Sequence, residues 1–415
     1  MPDFDDIVVG GGIAGMVAAR RLALGGRRGA LLEASDRLGG QVARHSVAGV
    51  ELDAGAESFA TRGDSVAFLL RVIGLGDDIV APVDTPAWLY RSDGSAIALP
   101  ATSLLGVPAV PLATDVIAAI GLRAALRAEL DVLLPSLVGA RATTFGELVR
   151  RRMGRGVLDG LVSPVVRGVH SISPDELPLD RAAPGLATAI MRDGSLSHAV
   201  AGIRERSAAG SQVAGIRGGM FRLADALEGE LRRFGVEVRT GLGAVAETTG
   251  GAGGLRGRVL VAHPGAAAGR PISLVTLAVE QPELDAAPRG TGLLVASDAP
   301  GIRARALTHL SAKWSWLRDS SPGIHLLRLS YDGHGDAAEL QAAAERDAAT
   351  LLGVPLGRVV EADVVRWTRA VQGEHAVDGM EAIGEAVSGT GLAAVIAFAE
   401  ARAGSLLNGS PTNEG

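Results

Sequence analysis

Hydrophobic positions follow two different periods along the chain, and the period distinguishes predicted strands from predicted helices. Residues 7–9 (Ile-Val-Val) are consecutive apolar residues, which is typical of a strand buried on both faces of a parallel sheet. Residues 66–73 instead place apolar side chains three and four positions apart, which predicts an amphipathic helix. Asp64 stands at its N-cap and Gly74 follows its end. The N-terminal part of the chain therefore contains both kinds of element.

Both patterns continue further along the chain. Segments 88–90 and 97–99 flank Ser-Asp-Gly at 92–94, which predicts a β-hairpin. Residues 112–165 are rich in alanine and leucine and predict a helical block. In this block Thr144 and Glu147 have the spacing of a capping box, and the run Arg150-Arg151-Arg152 is expected on a solvated helix face. Residues 392–403 predict a further helix near the end of the chain.

The first predicted strand runs directly into a glycine-rich turn, Gly10-Gly11-Gly12-Ile13-Ala14-Gly15. This is G-x-G-x-x-G between a strand and a helix, a context in which Gly10 allows the tight turn, Gly12 lets the backbone approach a pyrophosphate and Gly15 lets the helix pack on the strand. The N–H groups at the helix N-terminus attract phosphate. Glu33 ends the second strand at about the interval of 20 residues expected of the acid that binds a ribose hydroxyl. The sequence therefore predicts a dinucleotide site.

Composition limits the class of protein and its compartment. The length of 415 residues and the hydrophobic content of 47% predict two or three domains with large cores. The most apolar stretch, 104–122, contains Pro108, Pro111 and Asp115, so we predict no transmembrane segment. Residues 1–6 are acidic and do not resemble a signal peptide. We therefore expect a cytoplasmic location.

The chain has no cysteine and a net charge of −6. The absence of cysteine excludes disulfides and thiolate metal sites, so any redox chemistry must come from a bound cofactor, and we predict no metal site. The net negative charge argues against nucleic acid as a partner.

The segment that follows Glu33 indicates which nucleotide is bound. Residues 34–41 (ASDRLGGQ) resemble, together with Glu33, the E-A-x-x-R-x-G-G extension of the glutathione-reductase-like flavoproteins, in their amine oxidase branch. In that family the arginine and the second glycine pair, here Arg37 and Gly39-Gly40, hold the diphosphate and ribityl chain of FAD. Residues 52–59 (LDAGAESF) resemble the next family segment, which passes near the flavin. The resemblance implies FAD rather than NAD.

A second group of motifs lies outside the predicted FAD site. Residues 145–170 resemble a run in the helical domain of the oxygen-dependent protoporphyrinogen and coproporphyrinogen oxidases, F-x-x-R-R-x-G…P-x-x-x-G-[IV]-[YH]. Segments 290–295, 311–314 and 366–367 resemble further segments of that family and occur in the same order. The resemblance extends from residue 5 to residue 404.

The resemblance implies an α/β (mixed α+β) fold in three interleaved parts. A glutathione-reductase-like, FAD-binding Rossmann domain is expected beside a helical domain and a mixed β-sheet domain that binds substrate. The expected boundaries are 1–85, 212–264 and 366–407 for the FAD-binding domain, 100–210 for the helical domain, 86–99 and 265–365 for the substrate-binding domain, and 408–415 for a disordered tail.

The resemblance also implies the residues of the site. The implied FAD-binding residues are Gly10, Gly12, Ile13, Ala14, Gly15, Glu33, Ala34, Arg37, Gly39, Gly40, Gln41, Gly55, Ala56, Glu57, Ser58, Val245, Trp367, Gly384, Glu385, Gly389, Thr390 and Gly391. The implied substrate-binding residues are Gly168, His170, Leu293 and Leu294, with the two leucines against the macrocycle. No catalytic dyad is visible, so the flavin is expected to carry the chemistry.

The implied function is the oxidation of a porphyrinogen to a porphyrin in haem biosynthesis, with oxygen as acceptor. Ala87 stands near the position of a propionate-binding arginine in some eukaryotic members, and this difference favours coproporphyrinogen III over protoporphyrinogen as substrate. The expected partners are therefore the porphyrinogen and oxygen, and the chain is expected to be a monomer or a homodimer.

Other functions stay open within the same superfamily. An amine oxidase is disfavoured because four Trp, two Tyr and seven Phe are too few for an aromatic cage, and a desaturase is disfavoured by the 145–170 motif. A non-catalytic protein that binds FAD or porphyrin is favoured by two shortened regions. Between 241 and 273 glycine-rich segments replace the family's strand pairs, and between 369 and 384 a proline-containing segment near the substrate is largely absent.

Overall fold

The computed structural model describes residues 3–61, 63–170, 172–206, 213–243, 247–248, 251–262, 269–296, 298–369 and 380–408. Within these ranges the chain is a mixed α/β protein. It divides into two compact units, each discontinuous in sequence. The first unit is Met1–Pro82, Ser211–Ile272 and Val365–Gly415, and the second is Val83–Gly210 and Ser273–Val364.

The strands of the described ranges are numbered in chain order. They are β1 (Asp6–Val9), β2 (Gly29–Leu32), β3 (Arg44–Val47), β4 (Val50–Asp53), β5 (Phe59–Ala60), β6 (Ile79–Val80), β7 (Trp88–Tyr90), β8 (Ala96–Ala98), β9 (Ser103–Leu104), β10 (Val107–Pro108), β11 (Val213–Ile216), β12 (Glu237–Arg239), β13 (Glu247–Thr248), β14 (Gly251–Ala252), β15 (Leu255–Arg256), β16 (Arg258–Val261), β17 (Arg270–Glu280), β18 (Gly292–Val295), β19 (Ala306–His309), β20 (His325–Asp332), β21 (Arg358–Arg369) and β22 (Glu381–Ala382).

The α-helices of the described ranges are numbered in the same way. They are α1 (Ile13–Leu24), α2 (Ser65–Val72), α3 (Thr114–Glu129), α4 (Phe145–Arg152), α5 (Arg155–Val157), α6 (Ser163–His170), α7 (Leu179–Ala182), α8 (Leu186–Asp193), α9 (Leu196–Arg206), α10 (Phe221–Arg233), α11 (Leu310–Lys313), α12 (Ser315–Ser320), α13 (Ala337–Leu352), α14 (Glu385–Ser388) and α15 (Leu392–Leu407).

A parallel sheet of five strands, in the order β12-β2-β1-β16-β22, forms the centre of the first unit. On one face Val8 belongs to a hydrophobic cluster with residues of α1, α10 and α15. On the other face Ile7 and Val9 pack with Ala252 of β14. The apolar run 7–9 is therefore buried on both faces, as its sequence predicts.

Helix α1 is buried along most of its length because it packs against both α15 and α10. Small side chains such as Ala18 and Ala19 let these helices approach closely. Arg20 is also buried, and its guanidinium donates to the Glu230 carboxylate of α10 at 3.1–3.2 Å. A buried guanidinium needs such a partner, since an unpaired charge away from water is costly.

The glycine-rich region 241–273 contains more structure than its sequence indicates. Strands β13, β14 and β15 form a small antiparallel sheet, although strand pairs were expected to be missing here. These strands are only two residues long each, which is too short to display a hydrophobic pattern in the sequence, although Ala252 of β14 is buried. Residues 370–379 of the other shortened region lie outside the described residues, as do 409–415 of the expected tail.

A seven-stranded sheet in the order β21-β17-β20-β19-β18-β7-β8 forms the centre of the second unit. The predicted hairpin at 88–99 is confirmed, because β7 and β8 pair antiparallel with Trp88 opposite Ala98. Helix α13 covers one face of the sheet and shares a hydrophobic cluster with it. A separate cluster in this unit contains part of the predicted helical block 112–165. It is built from α4 to α9 and their connections, together with Ala128 of α3 and apolar residues of 104–109.

Helix α4 begins at the predicted cap. The Thr144 hydroxyl oxygen accepts the Glu147 N–H at 3.2 Å, and the Glu147 carboxylate accepts the N–H of Thr143 at 3.1 Å. The capping prediction is thus confirmed, with the return bond made to the residue before the cap.

The arginine run of α4 does not lie on one solvated face, and the prediction is wrong for Arg152. Its side chain is fully buried, and Nε donates to the Asp131 carboxylate at 2.5 Å. Its terminal nitrogens donate to four backbone carbonyls at 3.0–3.3 Å, those of Asp131, Pro135, Val138 and Gly194. The other Asp131 oxygen accepts the N–H and hydroxyl of Ser197. Every polar group of the pair is satisfied, so its burial is tolerated.

Two histidines form a buried pair in the second unit. Nε2 of His309 lies 3.1 Å from Nδ1 of His325, and Nε2 of His325 lies 3.3 Å from the exposed Asp285 carboxylate. If Nε2 of His325 donates to Asp285, its Nδ1 must accept from His309, which leaves Nδ1 of His309 as an acceptor. Burial, with a smaller effect from His325, lowers the pKa of His309 to about 3, and burial also lowers the pKa of His325. Both histidines are neutral at pH 7.

None of the helices in the described ranges has the length and apolar character needed to span a lipid bilayer.

We predict that Asp131→Asn lowers the free energy of unfolding by about 3–5 kcal/mol, because the buried Arg152 guanidinium loses its counter-charge. Asp175→Asn is the matched control, since Asp175 pairs with the partly exposed Arg150 at 2.6 Å. That surface pair should contribute less than about 1 kcal/mol. Urea unfolding followed by circular dichroism measures both. Equal losses in the two variants would contradict the assigned role of Arg152.

We also predict that stability falls between pH 7 and pH 5. The folded-state pKa of His309 is below its unfolded value, so its contribution is complete above the unfolded pKa and is lost as the pH falls. With a folded pKa of about 3, the loss at pH 5 is ~2 kcal/mol. Denaturant unfolding at both pH values should show a smaller difference for His309→Gln than for the unmodified protein. An unchanged difference would show that other groups cause the effect.

Candidate functional site

The predicted glycine turn joins β1 to α1 in a geometry that only small residues permit. Gly10 has φ +108°. A Cβ atom on Gly15 would lie 1.9 Å from the Gly10 carbonyl oxygen and 3.2 Å from the Ala262 Cβ. Gly15 therefore sets the close packing of the helix on the strand, as its place in the motif predicts.

The N-terminus of α1 has no side-chain cap. Gly12 occupies the N-cap with φ −68° and ψ 174°, a conformation open to any residue. A Cβ atom built on Gly12 meets nothing within 4 Å. The backbone amides of the first helical turn thus face open space that an anionic group could enter, and the helix dipole favours negative charge there.

Glu33 connects the end of β2 to the glycine turn. Its Oε2 accepts the Gly11 N–H at 2.6 Å, and its Oε1 accepts the N–H and the hydroxyl of Ser35 at 2.8 and 2.7 Å. A carboxylate has about four acceptor positions, so one is left for an additional donor such as a ribose hydroxyl. Glu33 is half-buried, and this leaves that position reachable from outside.

Gly11 and Ser35 are site residues that sequence reasoning did not identify. Gly11 supplies the N–H that Glu33 binds, and a Cβ on it would lie 2.5 Å from a Leu38 methyl group. The signal in the sequence is that the variable position of the first G-x-G is itself a glycine. For Ser35 the signal is its place two residues after the acid, where its hydroxyl can reach the carboxylate.

The second glycine pair lies against the first. Gly39 donates its N–H to the Gly11 carbonyl at 2.8 Å, and a Cβ on Gly40 would lie 3.2 Å from the Gly12 Cα. Both residues of the pair have positive φ, +96° and +58°. The exposed Arg37 guanidinium donates to the Gly40 carbonyl at 3.0 Å and to the Leu38 carbonyl at 3.4 Å. Arg37 is therefore held over the loop that carries the glycine pair.

Residues 55–58 and Trp367 reach the same region through Gln41. A Cβ on Gly55 would lie 2.3 Å from the Gln41 carbonyl oxygen, so the half-buried segment 55–58 begins in contact with that residue. The Gln41 amide donates to the Thr368 carbonyl at 3.3 Å, next to Trp367 in β21, and to the Glu385 carboxylate at 3.4 Å. Gln41 thus connects three predicted segments of the site.

The C-terminal glycines also lie beside α1. Gly384 has φ +100° and precedes α14, and a Cβ on it would lie 3.4 Å from the Ala14 Cβ. Gly391 has φ +101° and is the N-cap of α15, which has no side-chain cap. Gly389 and Thr390 form the short connection between the two helices. Val245 lies outside the described residues.

The structure separates the two predicted substrate leucines. Leu293 is 2% exposed and belongs to the hydrophobic cluster shared with α13. Leu294 points to the opposite face of β18, because successive side chains of a strand alternate, and its Cδ2 would lie 2.4 Å from a Cβ on Gly168 of α6. Leu294 and Gly168 are thus brought together and Leu293 is not. The His170 side chain lies outside the described residues.

A cavity of about 550 Å³ lies between α10, β12 and the loop that carries Arg37. Its lining includes Phe221, Asp225 and Val238 but neither the glycine turn nor residues 384–391. We therefore do not assign it to the nucleotide.

Residues 13–262 match the family of flavin containing amine oxidoreductases. The coproporphyrinogen III oxidase of Mycobacterium leprae (strain TN) is 30% identical over 400 residues, which cover 88% of this chain and 86% of that protein.

Two solved structures share the fold. A protein of Exiguobacterium sp. 255-15, provisionally named a protoporphyrinogen oxidase, has a TM-score of 0.82 at 23% identity, covering 98% of this chain and 99% of that one. Wild-type putrescine oxidase bound to putrescine has a TM-score of 0.64 at 14% identity, with the same coverage. At these identities the two structures show similarity of fold alone.

We predict that Gly12→Val weakens cofactor binding at least about tenfold, without unfolding the protein. The added Cβ atom would meet nothing within 4 Å in the folded chain, and the side chain would occupy space before the α1 amides. Loss of even one hydrogen bond to a charged group costs about 1.5 kcal/mol or more, which weakens flavin affinity at least about tenfold. Flavin absorbance after gel filtration measures retention.

Gly15→Val is the matched control, because its side chain would overlap the Gly10 carbonyl and should reduce both folding and cofactor retention. Stoichiometric flavin in the Gly12→Val protein would show that the turn is not the binding site.

Proposed function

Because the chain belongs to the flavin-containing amine oxidoreductases, within the family of the coproporphyrinogen III and protoporphyrinogen oxidases, we propose that it is an FAD-dependent porphyrinogen oxidase of haem biosynthesis. Coproporphyrinogen III is the preferred substrate and oxygen the acceptor. The observation that carries the proposal is the length of the similarity to the M. leprae enzyme, since 88% of this chain is aligned. A shared FAD-binding region alone would not extend so far.

The geometry of the first unit supports FAD as the flavin. Open space lies before the α1 amides, where the FAD pyrophosphate would bind, and Glu33 keeps an acceptor position for the adenosine ribose. FMN has no adenosine, so it would leave Glu33 without a ligand. The proposed site consists of the predicted cofactor residues together with Gly11 and Ser35. When bound, FAD would supply the redox chemistry, taking two electrons in each of the successive steps from porphyrinogen to porphyrin, while oxygen would be the oxidant that regenerates it and becomes hydrogen peroxide.

The chain's own residues bind and orient the cofactor in this proposal. The α1 amides and the two glycine pairs bind the pyrophosphate, and Arg37 adds positive charge at the same loop. The N-terminus of α15 is uncapped and is preceded by Gly389-Thr390-Gly391. It would face the flavin ring and would stabilise negative charge on it. No side chain is assigned as an acid or base.

On the substrate side the proposal assigns Gly168, Leu294 and the neighbouring His170. A Cβ atom at position 168 would lie 2.4 Å from Leu294 Cδ2, so a bulkier residue there would displace Leu294. In this proposal Gly168 keeps Leu294 in a position where it can contact a flat macrocycle. Leu293 contributes only by supporting the strand from its buried face.

Two alternatives predict different behaviour of the same protein. An amine oxidase would reduce its flavin with an amine, and the fold shared with putrescine oxidase is compatible with this, although the scarcity of aromatic residues is not. A non-catalytic binder would retain FAD without reacting with a porphyrinogen. Both are distinguished by the reduction of the flavin.

We predict turnover. Anaerobic mixing of the flavin-loaded protein with coproporphyrinogen III should bleach the flavin absorbance near-stoichiometrically. Admission of air should restore it, with hydrogen peroxide and a fluorescent porphyrin as products.

The controls are protoporphyrinogen IX, putrescine and a chemical reductant. A flavin that the chemical reductant bleaches but that both porphyrinogens leave oxidised would refute the oxidase. Reduction by putrescine alone would favour the amine oxidase.

A further inference from the structure

The central sheet of the second unit presents two unlike faces. Leu293, Leu307 and Leu329 lie opposite one another across β18, β19 and β20, where they pack with α13 and are at most 2% exposed. Because successive side chains of a strand alternate, the residues between these leucines point away from α13. On that second face most side chains of the three strands are half-buried, so it is less completely covered than the first.

We define the Leu294 face by two rows of paired residues on that side of β18, β19 and β20. One row is Leu294, Ala306 and Ser330, and the other is Gly292, Thr308 and Arg328. Helix α6 lies against the β18 end of this face, through the contact between Gly168 and Leu294. The face therefore includes the two residues that the proposed function assigns to the substrate.

Arg328 is the charged residue of the two rows, and its side chain is only 6% exposed. A guanidinium away from water needs acceptors for its donors. Its register partner Thr308 and the nearby Ser330 place hydroxyl groups on the same face, and both are half-buried. Small side chains beside a long cationic one leave room for a carboxylate to approach the guanidinium.

The strand register sets how far Arg328 lies from Leu294. Two strand separations, together with two residues along β20, amount to about 12 Å between the two Cα atoms. A tetrapyrrole whose ring contacts Leu294 carries its carboxylates at its periphery, on side chains that extend outward across the face toward Arg328. Ala87, which stands near the position of a propionate-binding arginine in some eukaryotic members, supplies no charge for this purpose.

We propose that Arg328 binds a propionate carboxylate of the porphyrinogen, an inference that rests on the proposed function. The guanidinium donates two parallel hydrogen bonds to the carboxylate oxygens, and the hydroxyls of Thr308 and Ser330 can donate to the acceptor positions that remain. Coproporphyrinogen III has a propionate on every pyrrole ring, whereas vinyl groups replace some of them in protoporphyrinogen IX. Arg328 thereby holds the ring against Leu294 and takes no part in the redox chemistry.

Steady-state kinetics of the flavin-loaded protein test this assignment with coproporphyrinogen III and its tetramethyl ester, in which the propionates carry no charge. Turnover of the free acid by the unmodified protein is measured first, because it tests the proposed function. In Arg328→Met the kcat/KM of the acid relative to that of the ester should fall at least about tenfold, mainly through KM, since a charged hydrogen-bonded pair is lost. A purely structural role of Arg328 would lower both values by the same factor.

Arg305→Met is the matched control, since Arg305 is a partly buried arginine of the same unit, outside the two rows, that pairs with the exposed Asp332 at 3.3 Å. Its acid-to-ester ratio should equal that of the unmodified protein. Arg328→Lys keeps the charge without the planar fork and should show a smaller fall, and it carries the test if Arg328→Met does not fold. An unchanged ratio in the Arg328 variants of an otherwise active protein, or an equal fall in Arg305→Met, would overturn the inference and leave the proposed function intact.

Discussion

Close packing of α1 on β1 is the constraint on which the first unit depends. The Gly15 Cα lies so near the Gly10 carbonyl that any side chain would overlap it, and this contact fixes the helix over the parallel sheet. Once α1 is fixed, α10 and α15 pack on it from outside, which brings the end of the chain beside its beginning. Gly384 consequently lies against the first turn of α1. A single steric requirement at one glycine thus organises segments that are hundreds of residues apart in sequence.

The packing around α1 also places helix N-termini, which attract negative charge, in the candidate site. Two uncapped helix N-termini, of α1 and α15, belong to one unit and are preceded by glycines that leave their amides accessible. The Glu33 carboxylate accepts the Gly11 N–H and thereby restrains the turn. The space beside Gly12 stays open, because a Cβ atom there would meet nothing within 4 Å. Rigid amides are suited to bind an anionic group because they need little reorganisation when it arrives.

Local sequence patterns predicted several elements of both units correctly, because each of these patterns is compatible with one local structure. The apolar run 7–9, the glycine turn and the capping pair Thr144–Glu147 are confirmed by the structure. Local sequence does not predict which distant element a side chain contacts. Leu293 is buried because α13, more than 40 residues later, packs against its face of β18. Strands β13 to β15 are only two residues long each, too short to show a pattern.

The buried Arg152 and the exposed Leu122 and Leu126 of α3 show the same limit of local sequence from opposite sides. Arg152 belongs to a charged run but is buried, because Asp131 and four backbone carbonyls accept its hydrogen bonds. The sequence of α4 alone does not predict this burial. Leucines at helical spacing, normally a sign of core, are exposed because alanines occupy the inward positions. Hydrophobic period predicts that a helix has two faces. Which face is buried depends on the space and on the hydrogen-bonding partners that the neighbouring elements provide.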